Sequence, residues 1–252
     1  MNILLTNDDG IHAPGLEALY NSLSQDHRVF IVAPETEQSA VGHAITLTDP
    51  IRVSEICNNG RLFGYAISGT PADCVKIALA DLIEVAPDAV VSGINLGANV
   101  GINVLYSGTV SAAAEAAMLG LPAIAVSLDT FTNPDFSHAA DFTRRLVRDL
   151  DALNLARHVC LNVNVPSVPR EQIRGVAWVR QHPAGFKENF TKRLDPRGNI
   201  YYWQGGENPP PNLDPDSDMS LLARKMITIT PIKHDLTHHE ELARLSSYKI
   251  KP

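Results

Sequence analysis

Apolar and polar positions alternate along the first two thirds of the chain in a way that predicts strands and helices in turn. Ile3–Thr6 is an apolar run that ends at the turn-forming residues 7–10, and 29–33 and 89–92 are similar runs. Between the first two runs, apolar residues at positions i, i+3, i+4 and i+7 predict an amphipathic helix over 14–23. A strand, a helix and a second strand form the unit of a parallel sheet, so the pattern predicts an α/β fold.

The alternation continues to about residue 166. Asn58-Asn59-Gly60 is a hairpin signal between two short strands. Further strands are predicted at 45–48, 51–54, 62–67, 123–127 and 159–165, and further helices at 70–86, 110–119 and 137–153. We therefore expect residues 1–166 to form one core with a mostly parallel sheet.

The pattern changes after Pro166, where the regular alternation stops. Strands are predicted at 175–181, 199–203 and 226–232, a Gly- and Pro-rich break at 205–211, and a short helix that begins at the capping-box sequence of Thr237 and Glu240. Residues 167–252 are thus expected to be a strand-rich appended part. Two-stranded ribbons are marginally stable alone, so we expect this part to pair with a neighbouring subunit.

The composition is that of a globular protein, with 44% hydrophobic and 19% charged residues in 252. The net charge of −7 disfavours binding to a nucleic-acid polymer, although a bound cation would still allow a small anionic ligand. Cys57, Cys74 and Cys160 are odd in number and far apart, which predicts reduced thiols. The sequence shows no signal-peptide pattern and no apolar run long enough for a membrane span, so we expect a cytoplasmic protein.

Polar side chains follow three of the predicted strands. Asp8 and Asp9 follow the first strand, Ser39 the second and Asn95 the third. Parallel strands end at one edge of a sheet, and their loops would bring two carboxylates, a hydroxyl and an amide together there. Such hard oxygen ligands suit Mg²⁺ or Mn²⁺. The alternative is that Asp-Asp-Gly only makes a turn and Ser39 only decorates a loop.

Ser107, Gly108 and Thr109 lie at the start of a predicted helix, where free backbone N–H groups favour an anion. The Gly- and Asn-rich loop before them could fold around the same anion, and we expect Asn99 to contribute. The alternative is that Ser107 is only a helix cap and that the loop only makes turns. The sequence contains neither a G-x-G-x-x-G fingerprint nor a Walker A lysine, which argues against dinucleotide and P-loop sites.

Two histidines, His12 and His43, lie in loops of the candidate site. Each could act as a general acid or base or support another residue, or be an ordinary turn histidine. The sequence does not separate these roles.

Several motifs, in order and over nearly the whole chain, closely resemble the SurE family of stationary-phase survival proteins. They are Asn7-Asp8-Asp9-Gly10, Pro34…Gln38-Ser39, Ser68-Gly69-Thr70-Pro71-Ala72-Asp73-Cys74-Val75, Ser92-Gly93-Ile94-Asn95-Leu96-Gly97-Ala98-Asn99, Tyr106-Ser107-Gly108-Thr109-Val110-Ser111-Ala112-Ala113, Asp195-Pro196-Arg197-Gly198, Tyr201-Tyr202-Trp203 and Ile229-Thr230-Pro231.

This resemblance implies a Rossmann-like core with helices on both faces and C-terminal arms exchanged in a homodimer or homotetramer. It implies a metal-dependent phosphatase for nucleoside 5′- and 3′-monophosphates, with polyphosphate as a further substrate of some members. By the same resemblance, Asp8, Asp9, Ser39 and Asn95 hold one Mg²⁺ or Mn²⁺ per subunit, with Asp8 and Asp9 as catalytic residues. The chain departs from the family pattern at Asn103, at Ala116 and at 223–226, none of which is an expected ligand.

Two alternatives remain open at this stage. The same loops would serve a nucleotide sensor that binds without turnover. In an enzyme, the attacking group is either water, with an aspartate accepting its proton, or the carboxylate of Asp8 itself.

Overall fold

The computed structural model describes residues 1–183, 187–207 and 214–248. Within these ranges the strands are β1 (Asn2–Thr6), β2 (Arg28–Pro34), β3 (Val53–Asn58), β4 (Arg61–Ile67), β5 (Ala89–Leu96), β6 (Ala123–Asp129), β7 (Val159–Pro166), β8 (Val176–Trp178), β9 (Lys187–Leu194), β10 (Ile200–Glu207) and β11 (Ile227–Lys233). The α-helices are α1 (Pro14–Leu23), α2 (Pro71–Ile77), α3 (Gly108–Met118), α4 (Ser137–Leu153), α5 (Asp218–Ala223) and α6 (His239–Leu245). None of the helices in these ranges has the length and apolarity needed to cross a membrane.

The described strands form a nine-stranded sheet in the order β3-β4-β2-β1-β5-β6-β7-β11-β8 and a separate pair, β9 with β10. The six strands from β4 to β7 are parallel to their neighbours, whereas β3 and β11 run antiparallel at the two sides. The central order β4-β2-β1-β5-β6-β7 is the doubly wound arrangement of a Rossmann-like fold. The predicted α/β fold class is confirmed.

Alternation along β1 explains why helices cover both faces of the sheet. Ile3 and Leu5 point into the core that includes side chains of α1 and α4. Leu4, between them, points into the opposite core, which contains side chains of α2 and α3. Successive residues of a strand face opposite sides, so a strand buried on both faces reads as a continuous apolar run. That is the pattern of the opening residues.

The structure differs from the predicted elements in the segment before β3. Residues 45–48 form no strand, because the backbone N–H of Thr46 donates to the carboxylate of Asp73 (3.1 and 3.2 Å) instead of to a neighbouring strand. Leu47 is 83% exposed, so the apolar residues there have no core to join.

Other boundaries differ by smaller amounts. The α2 helix ends at Ile77 and continues as a wider π-helical turn to Leu82. The C-terminal helix is capped by His238, whose side chain accepts from the Glu241 backbone, so the capping box expected at Thr237 is wrong. Strand β9 and helix α5 were not expected: β9 lies in an exposed ribbon without a buried face, and α5 is only six residues long.

The segment after Pro166 contributes to the large sheet as well as to the ribbon. β11 pairs antiparallel with β7, and β8 pairs with β11 on its outer side. β9 and β10 pair only with each other within the described residues. The break expected at 205–211 begins inside β10, and its last residues, 208–211, lie outside the described ranges. The division of the chain into 1–166 and 167–252 stays a prediction.

Close packing of α1 on the end of β5 yields a first testable prediction. A Cβ atom on Gly15 would lie 2.2 Å from the carbonyl oxygen of Ile94, which is backbone and cannot rotate away. We expect Gly15→Ala to lower the free energy of unfolding by about 1–3 kcal/mol through overpacking. Asn21→Ala, on the exposed side of the same helix, is the control and should change it by less than about 0.5 kcal/mol in urea unfolding. Equal stabilities for the two variants would contradict the packing.

Candidate active site

The order of the strands creates a switch point between β1 and β5, where the crossover connections leave in opposite directions. Doubly wound proteins bind ligands in the crevice at this point. A cleft of about 690 Å³ opens here, and its walls include side chains from each of the expected loops. Of the expected site residues, those lining the cleft are Asp8, Ser39, Asn95, Asn99 and Ser107. Its outer wall includes Asn103, Tyr106, Phe131 and, from the ribbon, Glu188 and Gln204.

Asp8 links the end of β1 to the start of α3. Its Oδ1 accepts a hydrogen bond from the Thr109 hydroxyl at 2.5 Å. A Cβ on Gly108 would lie 2.7 Å from the Cβ of Asp8, so only glycine permits this close approach. Burial raises the pKa of Asp8, and the hydrogen bonds from the hydroxyl and backbone of Thr109 partly oppose that rise. The expected metal and phosphate elements are therefore in direct contact.

Asp9 and Glu37 add negative charge beside Asp8. Burial, followed by the charges of Asp8 and Glu37, raises the pKa of Asp9 to about 7. Sequence reasoning missed Glu37; the only signal was an acidic residue in a polar loop that leaves the same sheet edge as Asp8. The concentration of carboxylates creates a site where a cation would relieve repulsion.

The loop after β2 is hydrogen-bonded to the backbone of Asp8. The backbone N–H of Gln38 donates to the carbonyl of Asp8 at 2.7 Å, which holds Ser39 at the cleft. The Ser39 hydroxyl donates to the carboxylate of Glu37. This hydroxyl therefore already lies among negatively charged oxygens.

Asn95 completes the expected donor set from the end of β5. Its amide nitrogen donates to the carbonyls of Leu96 (3.2 Å) and Gly97 (2.7 Å), which leaves the Oδ1 as the atom that would ligate a cation. Two carboxylates, a hydroxyl and an amide oxygen are a hard-oxygen set that fits Mg²⁺ or Mn²⁺. Across the described ranges, no cluster of three or more His, Cys, Asp and Glu side chains is placed to hold a metal, so serine and asparagine oxygens would have to complete this set.

The start of α3 carries the groups expected to bind an anion. Ser107 is the N-cap, and its Oγ accepts from the Val110 backbone at 3.1 Å. The two roles considered for Ser107 are compatible, because a hydroxyl that accepts as a cap keeps its own proton for donation. Gly108 and Thr109 begin the helix, where backbone N–H groups lack intrahelical acceptors. The Thr109 backbone N–H faces Asp8.

Asn99 is buried at the edge of the cleft. Its side-chain nitrogen donates to the Ser127 hydroxyl at 2.9 Å, so this side chain is turned towards β6. Its backbone N–H donates to Asn164 at 2.8 Å. These two hydrogen bonds give Asn99 a role in shaping the loop. Binding of an anion by Asn99 stays a prediction.

The two candidate histidines, His12 and His43, lie outside the lining of the cleft. His43 contacts Glu115 at 2.8 Å, and the same carboxylate accepts from Lys76 at 3.2 Å. His12 lines a separate shallow groove beside Glu17. Neither is among the described residues that line the cleft.

Fold and site together define a doubly wound α/β protein whose switch-point crevice pairs a carboxylate-rich corner with a helix N-terminus. Comparison with known proteins assigns the family: the profile described as "Survival protein SurE" matches residues 3–188. The chain belongs to the SurE family.

Relatives and a solved structure agree with this assignment over the full length. The chain is 54% identical over 250 residues to "5'-nucleotidase SurE" of Syntrophobacter fumaroxidans, covering 99% of this chain and 100% of the relative. It is 53% identical over 252 residues to the protein of the same name from Syntrophus aciditrophicus, covering 100% and 95%. The crystal structure of the SurE protein from Aquifex aeolicus superposes with a TM-score of 0.86 at 34% identity, covering 98% of this chain and 99% of that one.

The raised pKa of Asp9 predicts how stability depends on pH in metal-free protein. The folded chain holds this proton more tightly than the unfolded chain, so stability falls as pH rises from about 4 towards 7. The unfolding free energy of the wild type should therefore fall between about pH 5 and pH 8. In Asp9→Asn we expect this fall to be smaller by about 1–2 kcal/mol, allowing for solvent screening. Urea unfolding with chelator measures this.

The control is Asp151→Asn, an exposed aspartate of α4. It should keep the pH dependence of the wild type. A wild-type profile unchanged by Asp9→Asn would show that this carboxyl titrates normally.

Proposed function

We propose that this protein is a metal-dependent nucleotidase that hydrolyses nucleoside 5′- and 3′-monophosphates to nucleoside and phosphate. The observation that carries the proposal is the contact of Asp8 with Gly108 and Thr109, because it would bring the proposed cation ligands next to the proposed anion ligands. The name 5′-nucleotidase carried by the full-length relatives supports the 5′ activity. Action on 3′-nucleotides and short polyphosphate extends the proposal, because the residues proposed here would bind a phosphoryl group and not a particular leaving group.

The proposed metal ligands are Asp8, Asp9, Ser39 and Asn95, for one Mg²⁺ or Mn²⁺ per subunit. When bound, such an ion supplies a Lewis acid that draws charge from a phosphoryl oxygen. The four residues come from three loops. The Gln38 backbone N–H donates to the Asp8 carbonyl and the Leu96 backbone N–H to the Asp9 carboxylate, so hydrogen bonds connect the loops before any ligand arrives. This preorganisation favours binding, since little conformational freedom is then lost.

The remaining phosphoryl oxygens are proposed to lie against the N-terminus of α3. The Ser107 hydroxyl and the backbone N–H of Gly108 would hold them. Thr109, whose hydroxyl and backbone N–H both donate to Asp8, would fix the start of the helix beside them, and Asn99 would shape the adjoining wall. The absence of a side chain on Gly108 lets an oxygen approach the backbone. Donors aimed at developing negative charge stabilise the transition state more than the ground state.

In the proposed reaction, water attacks phosphorus, the bond from phosphorus to the nucleoside oxygen breaks, and the leaving oxygen takes a proton from a solvent water. The proton of the attacking water passes to a carboxylate of Asp8 or Asp9. Direct attack by Asp8 is the less favoured variant, since its Oδ1 already accepts the Thr109 hydroxyl.

We also propose that residues 167–252 mediate assembly into a homodimer or homotetramer. The ribbon of β9 and β10 exposes large apolar side chains: Phe190, Leu194, Ile200, Tyr202 and Trp203 are each more than half exposed. A ribbon of two strands with apolar residues on it gains stability by packing on another subunit. A cytoplasmic location is part of the same proposal.

The central prediction concerns phosphate release from AMP. With Mn²⁺ present, we expect pure protein to release phosphate and a chelator to abolish release. Asp8→Asn should lower kcat/KM by about 100-fold or more, because it removes charge from both the cation site and the Thr109 contact. Asp151→Asn, the exposed α4 control, should retain wild-type turnover. Stoichiometric AMP binding without phosphate release would instead establish the nucleotide-sensor alternative.

A substrate panel tests the breadth of the activity. With Mn²⁺, we expect release from 5′-AMP, 3′-AMP and tripolyphosphate, each lost in Asp8→Asn. The physical reason is that all three present a terminal phosphoryl group to the same cleft. Release from 5′-AMP alone would limit the proposed function to 5′-nucleotides.

A further inference from the structure

The loop of residues 97–103, here called the active-site loop, contains no strand or α-helix, and only its last three residues are regular, as the start of a 3-10 helix (Gly101–Leu105). Gly97 and Gly101 adopt positive φ angles of 96° and 55°. The loop forms part of the cleft wall and leads into the N-terminus of α3. A glycine-containing loop loses much conformational entropy on ordering, so contacts from outside it must fix its shape.

One set of contacts comes from the central sheet. The backbone N–H of Asn99 donates to Asn164 Oδ1 at 2.8 Å. The Asn99 carbonyl accepts from the side-chain nitrogens of Asn162 at 2.7 Å and Asn164 at 3.0 Å. Both partners lie on β7, so the backbone of one loop residue, Asn99, is held directly by the core.

The second set of contacts comes from the C-terminal part. The backbone N–H of Gly101 donates to Asp218 Oδ2 at 2.9 Å. The Gly101 carbonyl accepts from Gln181 Nε2 at 2.6 Å. Between the two peptides, Val100 is buried against Met219 and Leu222 of α5.

In the sequence, these C-terminal residues lie on either side of the segment that contains β9 and β10. We call residues 180–182 and 214–218 the ribbon base. Its two sides are linked by the Arg180–Asp214 ion pair and by the Asp218 backbone N–H, which donates to the Arg180 carbonyl at 2.9 Å. Asp218 Oδ1 also accepts from the His182 backbone at 2.9 Å. One fully buried carboxylate therefore joins both sides of the ribbon base to the active-site loop.

We propose that the ribbon base positions the active-site loop for phosphate binding, with Asp218 and Gln181 as positioning residues. The C-terminal part thereby controls a phosphate seat formed by the N-terminal core. The inference rests on the proposed function for the identity of the anion. The part of the proposal in which the ribbon base fixes the shape of the active-site loop depends only on the hydrogen bonds and packing described above.

The test uses Gln181, because its side chain is exposed and the variant is expected to fold. Gln181→Leu removes the donor to Gly101, and Gln181→Lys restores a donor of similar reach. Gln25→Leu is the matched control: this exposed glutamine also donates to a backbone carbonyl, that of Asn21 at 3.3 Å, on α1. Each is purified as the full chain and compared with wild type.

Three quantities are measured: the rate of hydrogen–deuterium exchange of residues 97–103, the affinity for inorganic phosphate, and the affinity for Mn²⁺. In Gln181→Leu we expect faster exchange confined to the loop and phosphate binding weakened about two- to tenfold, the usual effect of one hydrogen bond. Mn²⁺ affinity and Tm should stay within experimental error of wild type. Gln181→Lys should recover phosphate binding, and Gln25→Leu should change none of the three.

The proposal is overturned if loop exchange in Gln181→Leu equals wild type. It is equally overturned if exchange rises throughout the chain with a lower Tm, because that would be a general structural effect. Exchange and phosphate binding need no turnover, so they decide the proposal even if wild type fails to hydrolyse AMP. A wild-type protein that does not hydrolyse AMP would contradict only the proposed function.

Discussion

The contact between the end of β1 and the first turn of α3 is the constraint on which the site depends. Asp8 accepts the Thr109 hydroxyl, and Gly108 allows the two backbones to approach more closely than any other residue would. Because β1 lies at the centre of the sheet and α3 packs across it, neither side of this contact can shift without disturbing the core. A carboxylate and a helix N-terminus attract each other, so the chain alone holds the geometry that a cation and a phosphate would share.

The carboxylates beside β1 lie together at a cost to the stability of the folded chain. Asp8, Asp9 and Glu37 lie close together, and burial raises the pKa of both aspartates. Such a cluster opposes folding unless it is protonated or neutralised by a cation. A site whose charges are unfavourable alone has free energy to gain from a divalent ion, which links the electrostatics to the proposed chemistry.

Local sequence patterns predicted the elements whose faces are buried. β1, α1 and α4 have the expected positions, because a continuous apolar run or a 3.6-residue stripe reflects burial directly. The expected loops also converge at one cleft, as parallel strands require. Glu37, Asp218 and Gln181 could not be identified in this way. Their importance comes from contacts between segments far apart in sequence, such as the 117 positions that separate Gly101 from Asp218, and no local period encodes those.

The active-site loop shows why the C-terminal part belongs to the functional unit. Ordering a glycine-containing loop is entropically unfavourable, and a cleft that binds phosphate must be ordered before the ligand arrives. β7 holds Asn99 through side chains that the core already fixes. Gly101, two residues further on, is held by Asp218 and Gln181 of the ribbon base. The loop therefore has one anchor in the core and one in the C-terminal part, and both help to set the path of the chain into α3.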